Sequence, residues 1–412
     1  MRSSERPSRH PARHRRIDGE VRVGHGHGHS PPAPADRRVR LLIAALLVPC
    51  ALATVLGLVV LYPFGESPPA DETAPTRVDG HVTSATETVC ADDPVAEGCL
   101  ALTVAIAEGP LAGQSIVTEV SIVRGRAEYG AGDDVVLAAP GDELADPLAY
   151  TLVDSQRDTP LLILALLFAA AVIALGGRRG LAALAALALT GTTLIAFVLP
   201  AILAGRDPLA VAVVGCCAIM FGALYLTHGF SARTSTAVLG TLVSLVLIGV
   251  LGTAFAQFAR LSGADEDTAN LAAALGTDID GRGLVLAGLM IGALGALDDV
   301  TVTQTTAVWE LRAADPGLRG IALFRSAMRI GRDHVASAVN TLVLAYAGTT
   351  LPLLLLFTVA QRGLDDVLTT QVIAIEVVRT LVGSVGLVAS VPLTTAVAVA
   401  VATRGQREAV AR

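Results

Sequence analysis

The sequence predicts an all-α polytopic membrane protein of about eight transmembrane helices, with a small all-β extracytoplasmic domain after the first span. Three observations carry this expectation. Ten arginines crowd the first forty residues, and an uncharged apolar run of 22 residues, Leu41 to Tyr62, follows them directly. At 1.5 Å per residue such a run crosses a hydrocarbon core of ~30 Å. Hydrophobic residues make up 53% of the 412-residue chain and charged residues 16%. Long uncharged stretches beyond residue 160 exceed what the interior of a soluble protein this size can bury. Between the first two spans the composition changes sign, with 18 acidic and 4 basic residues over 64–159, net −14.

The elements follow in order. Residues 1–40 carry 10 Arg against Glu5, Asp18, Glu20 and Asp36, net +6, and are rich in Pro and Gly. That composition predicts a disordered basic tail. Its His25-Gly26-His27-Gly28-His29 tract has imidazoles that ligate transition metals, but no carboxylate or thiolate completes a site, so it reads as a low-complexity tail lying against anionic lipid. Residues 41–63 are read as a retained anchor, because the run ends at Tyr62-Pro63-Phe64 and not at a small-residue cleavage site. Over 64–159, short alternating runs (Leu102 to Ala107, Ser115 to Val123, Val135 to Ala138) are punctuated by Gly109-Pro110, Gly125 and Gly130. This predicts a β-barrel or sandwich of about five or six strands. Cys90 and Cys99 lie there in a compartment where disulfides persist and are expected to be bonded. Cys50, Cys216 and Cys217 fall inside spans and read as small packing residues.

Seven further spans are expected within a membrane domain of 160–403: near 160–176, 181–203, 208–227, 234–258, 283–306, 335–358 and 370–402. The arginines test their direction. Arg178-Arg179, Arg233, the group Arg312 to Arg332 and the 404–412 tail all fall on one side in this scheme, whereas the opposite connections are short or acidic, as at Asp265-Glu266-Asp267, Asp278, Asp280 and Asp365-Asp366. By the positive-inside rule both termini are expected on the cytoplasmic side. All 30 basic residues are arginine and none is lysine, which with so much alanine suggests a GC-rich bacterial genome and so a bacterial cell membrane. Arg325, Arg329 and Arg332 with Ile321, Phe324 and Met328 read as an amphipathic helix on the inner surface.

The sixth span holds the candidate site. Gly283 to Leu297 is only about 22 Å of helix, too short to cross unless the helix continues through Asp298, Asp299 and the Thr-rich stretch after them. At 100° per residue, Gly288, Gly292, Gly295, Asp299, Thr303 and Thr306 share one stripe. The glycines would admit a neighbouring backbone, and the stripe would bring a carboxylate and two hydroxyls to the contact. Asp298, Thr301 and Thr305 line the next face. A carboxylate at membrane depth implies an ion or proton path; the alternative is a pair at the inner interface facing Arg325 or Arg329. Glu376 and Arg379 stand at i,i+3 in the last span and can neutralise each other, or else belong to an interfacial helix before it. Asn340 and Tyr346 are candidates for interhelical hydrogen bonds.

There is no G-x-x-x-x-G-K-[ST] loop, no H-E-x-x-H motif and no Cys/His cluster with metal spacing, so no cofactor or metal, no enzyme activity and no nucleic-acid partner is expected. The segments Gly292-Ala-Leu-Gly-Ala-Leu-Asp-Asp-Val-Thr-Val-Thr-Gln-Thr-Thr-Ala-Val-Trp-Glu310 and Glu376-Val-Val-Arg-Thr-Leu-Val-Gly-Ser-Val-Gly-Leu-Val-Ala-Ser-Val-Pro-Leu-Thr-Thr395 resemble those of the YibE/YibF-like family of bacterial multipass membrane proteins. The resemblance extends over about 41–403 and implies one anchor, an extracytoplasmic β-domain and a seven-span block. The expected function is a secondary-transporter-like permease or exporter of an unknown ion or small molecule, with Asp298 and Asp299 as ion or proton site. The alternative is a membrane scaffold or receptor whose β-domain binds an envelope protein, and a second copy of the chain is the other macromolecular partner in view. An intramembrane aspartyl protease fits poorly, since its two carboxylates must face each other from separate elements.

Overall fold

The computed structural model describes residues 37–65, 75–90, 98–121, 129–263, 280–360 and 363–404. The basic tail to residue 36, the histidine tract, the acidic 265–267 segment, Asp278 and the tail after 404 lie outside them. Helix α1, Arg37–Leu61, takes in the last three arginines of the tail, because no breaker separates them from the apolar run.

Five strands follow: β1 Thr76–Thr88, β2 Cys99–Ile106, β3 Ser115–Ser121, β4 Asp134–Ala139 and β5 Thr151–Ser155. β1 is long enough to serve two neighbours. Its first half pairs with β4, Thr76 opposite Ala139, and its second half with β2, Gly80 opposite Ile106 through Thr88 opposite Cys99, all antiparallel. The order is β3-β2-β1-β4-β5, and β3 and β5 approach each other, so one sheet curls towards closure. Of the two expected forms, the single curled sheet is nearer the barrel than the sandwich. The curl turns at Gly80, where a Cβ would stand 2.6 Å from Val104, and at a bulge between Val82 and Ser84. Alternate residues fill the interior: Val82, Leu102, Val104, Val135 and Leu137 are fully buried. A disulfide joins Cys90, just after β1, to Cys99 at the start of β2.

Among the described residues, eight helices are long and apolar enough to cross a membrane. After α1, helices α2 (Asp158–Gly176) and α3 (Arg178–Thr193) form a hairpin. Gly177 turns it with φ of 54°, and Gly180 lies so close to the Val172 carbonyl that no side chain fits. α3 then widens into a π turn, Leu194–Val198, before the short α4, Leu199–Leu203. Pro200 explains the widening, because its ring would collide with the carbonyl four residues back in a regular helix. Helices α5 (Pro208–His228) and α6 (Ala232–Phe258) are capped by the side chains of Asp207 and Ser231.

Among the described residues, three long helices and one short one follow: α7 Gly281–Ala314, α8 Gly320–Val359, α9 Leu364–Thr369 and α10 Gln371–Arg404. α8 differs from expectation. The amphipathic stretch and the span near 335–358 form one continuous 40-residue helix, since neither glycine nor proline falls between Arg332 and Gly348. The central core joins α5, α6, α7 and α10 through Met220, Ile248, Leu289, Leu297 and Leu387. A separate small core joins the ends of α7 and α10 to the start of α8, where Val308, Leu323, Ala327 and Ala398 are buried and Trp309 packs against them. There Arg312 donates to the carbonyls of Pro316 and Leu318, each at 2.8 Å.

Candidate functional site

Asp298 lies 17 residues from the first residue of α7 (298 − 281) and 16 from the last (314 − 298), about 24 Å of helix from either end. Asp298 and Asp299 are separated by 100° of helix and meet different surroundings. Asp299 is 69% exposed and stands 3.3 Å from Nε2 of His334 on α8. Neither Arg325 nor Arg329 meets the pair; Arg329 donates instead to Ser326. Asp298 turns into the bundle, where its Oδ1 is buried and has no hydrogen-bond partner among the described residues.

The surroundings of Asp298 are hydroxyl-rich. Thr241 of α6 approaches its carboxylate and shares a 2.8 Å hydrogen bond with Thr301, whose hydroxyl also reaches the Asp298 carbonyl at 3.2 Å. One turn further along α7, Gln304 donates to the Ala327 carbonyl of α8 at 2.9 Å and to Thr395 Oγ1 of α10 at 2.7 Å. Thr241, Thr301, Thr305, Thr394 and Thr395 are fully buried and Gln304 nearly so. The result is a polar seam at the junction of α6, α7 and α10. Close backbone approach permits it: a Cβ at Gly240 would collide with Thr394, and one at Gly331 with Gln304 and Val391.

The face carried by Gly288, Gly292, Gly295, Asp299, Thr303 and Thr306 is the more open one. Gly292, Gly295 and Asp299 are exposed, and Gly288, Thr303 and Thr306 half-buried. The glycines there do not seat a neighbouring backbone. Gly288 makes room for the Arg379 guanidinium and Gly292 for the Tyr346 hydroxyl, while nothing comes within 4 Å of a Cβ at Gly295. Packing therefore selects the neighbouring face, Asp298, Thr301 and Thr305.

Arg379 and Glu376 form the expected ion pair, in the first turns of the continuous 34-residue α10. The pair is mostly buried, and Gly288 lies about 15 Å along α7 from Asp298. Asn340 is exposed, and Cys216 is buried against the central core. Thr241, Gln304, Thr394, Thr395 and His334 were not singled out from the sequence. An amide within an apolar helix, as at Gln304, is the signal that points to the seam, and both Gln304 and Thr394-Thr395 lie inside the segments that carry the family resemblance.

No curated protein and no solved structure matches the chain. The YibE/F-like protein family matches residues 164–404, more than half the chain and the whole of the block that contains α6, α7 and α10. Eight helices able to cross a membrane and this match agree: the chain is a multipass membrane protein and belongs to the YibE/F-like family.

Proposed function

We propose that the protein is a secondary-transporter-type permease or exporter in which Asp298 carries the coupling ion. One observation supports this above the others: a carboxylate oxygen lies buried and unpartnered at the midpoint of a helix longer than a membrane is thick. A charge at that depth costs several kcal/mol, and a purely structural helix would carry an apolar residue there at no such cost. A carboxylate that alternates between occupied and empty needs a buried, hydroxyl-lined setting of this kind. The arginine distribution supports a cytoplasmic position for both termini, with the β-domain on the opposite side of a bacterial cell membrane.

Reconstitution into liposomes with an entrapped pH dye, under imposed proton and metal-ion gradients, tests the reading. Ion-driven flux should be lost in Asp298→Asn, whose amide keeps the volume and removes the charge. Asp299→Asn, which alters an exposed side chain, should stay within about 2-fold of wild type. Flux undiminished in Asp298→Asn rejects the proposal. The second reading, a scaffold, is favoured by the acidic β-domain, where Val89 and Leu148 are 87% and 88% exposed, a surface suited to an envelope partner. It takes the lead if no gradient drives flux in the wild-type protein.

A further inference from the structure

Helices α1, α3 and α5 do not close on one another. Gly57 makes room for the Val214 side chain and Gly222 for that of Leu189, which fastens α1 and α3 to α5 at two levels. Beside these contacts the three helices leave a cavity of about 930 Å³, at the upper end of the roughly 300–1,000 Å³ usual for small-molecule sites. One face of α1 (Ala51, Thr54, Leu58) meets one face of α5 (Ala218, Phe221, Tyr225) across it, and the π turn that follows α3 contributes Ala196. Val55, Leu226 and Phe230 on its rim are exposed, so in a multipass protein the cavity opens sideways to lipid.

Its interior offers little to a polar solute. Thr54 and Thr193 line it, yet each donates its hydroxyl to a carbonyl of its own helix, Cys50 and Leu189, at 2.8 Å. Such donors are already satisfied, and the remaining wall is hydrocarbon that a saturated chain can cover.

One end is marked by charge. Tyr225 and Phe230, both on the cavity wall, stack with ring centroids 4.6 Å apart, and Tyr225 is fixed by a 2.9 Å hydrogen bond to Ser235. His228, one helical turn after Tyr225, closes α5 and feels the charges of both Arg233 and Arg179. Arg233 has Glu310 at 3.5 Å. Arg178 and Arg179 are exposed and open α3, whose first turn holds no acidic residue and whose N-terminus has no side-chain cap. Two cations at the positive end of a helix dipole are unfavourable by themselves; an anion held between them and the free backbone N–H groups relieves both.

We propose that the cavity between α1, α3 and α5 binds one anionic phospholipid, with an acyl chain in the apolar slot and the phosphate at Arg178 and Arg179 beside His228. The site stands independently of the permease reading, and the sidedness that the arginines support makes the lipid one of the inner leaflet. A zwitterionic lipid fits the same slot but brings an ammonium group to the arginines, so the charged end sets the preference.

Native mass spectrometry of the purified full-length protein, delipidated in detergent and titrated with dioleoyl phosphatidylglycerol or dioleoyl phosphatidylethanolamine, tests this. A single phosphatidylglycerol should bind more tightly than phosphatidylethanolamine by about 10-fold or more, and inorganic phosphate, which has no chain, should not displace it. Arg178→Gln/Arg179→Gln, confined to exposed side chains, should bring the two lipids to within about 2-fold of each other. Ala218→Phe, which fills the slot from α5, should weaken both lipids by about 10-fold; Ala196→Phe fills it from the facing wall should the first variant not stay monodisperse. Equal affinity of the wild type for the two lipids overturns the proposal and leaves ordinary annular lipid. A preference that survives in the arginine variant, phosphatidylglycerol binding unchanged by filling the slot, or displacement by inorganic phosphate overturns it equally.

Discussion

Gly240 and Gly295 separate two meanings of a glycine in an apolar helix. At Gly240 the Thr394 side chain occupies the place of a Cβ, whereas at Gly295 the place is empty. Gly295→Leu should therefore change thermal stability by no more than ~0.5 kcal/mol, and Gly240→Leu should cost about 1 to 3 kcal/mol through overpacking; melting temperatures in detergent check the contrast. Gln304→Leu leaves Thr395 and the Ala327 carbonyl without their donor and should cost about 1 kcal/mol, with α8 loosened from α10. Fluorescence transfer between probes on α8 and α10 would register the loosening. The sequence shows that α7 brings carboxylates to its middle, because length and apolarity demand the continuation through Asp298. It does not show which carboxylate is enclosed. α7 is apolar on most of its circumference, so its own periodicity selects no face, and the choice is made by the neighbours, above all Thr241 of α6 and Thr394-Thr395 of α10.

Element boundaries divide the same way. The spans are legible since each is set by its own length and apolarity, and the strands Ser115–Ser121 and Asp134–Ala139 are legible from alternation between turn residues. The fusion of the amphipathic stretch to its span in α8, and the π turn before Pro200, are not visible in a hydropathy pattern, because one depends on the absence of a breaker and the other on where a single ring must be accommodated. The Cys90–Cys99 bond lies at the element scale too, as it ties the end of β1 to the start of β2. A ring of about ten residues contributes roughly 2.5 to 3 kcal/mol in the loop-entropy account, so Cys90→Ser should speed amide exchange in β1 and β2 by about 100-fold. Exchange in α5, α6, α7 and α10 of the same sample should not change.

For the whole molecule, sidedness is the testable quantity. With both termini in the cytoplasm, Asp158→Cys and Ala360→Cys should react with an impermeant maleimide added to intact cells, and Arg179→Cys and Arg319→Cys only after the membrane is opened; the reverse pattern would invert the protein. The helix lengths add something that sidedness does not. At 1.5 Å per residue, α7 is about 51 Å long and α8 about 60 Å, against a hydrocarbon core of ~30 Å. On the permease reading, which sets Asp298 at mid-depth, Trp309 is about 16 Å away along the axis, and the small core of Val308, Leu323, Ala327 and Ala398 is expected to begin where lipid gives way to water. The molecule therefore has two solvents and two kinds of cohesion. The bundle is held by packing and polar contacts within lipid, whereas that small core is held by the exclusion of water, a force that fades on cooling and in urea. The chain's one tryptophan belongs to the second, and its emission during urea titration will follow the loss of the water-facing collar while the transmembrane bundle is still intact.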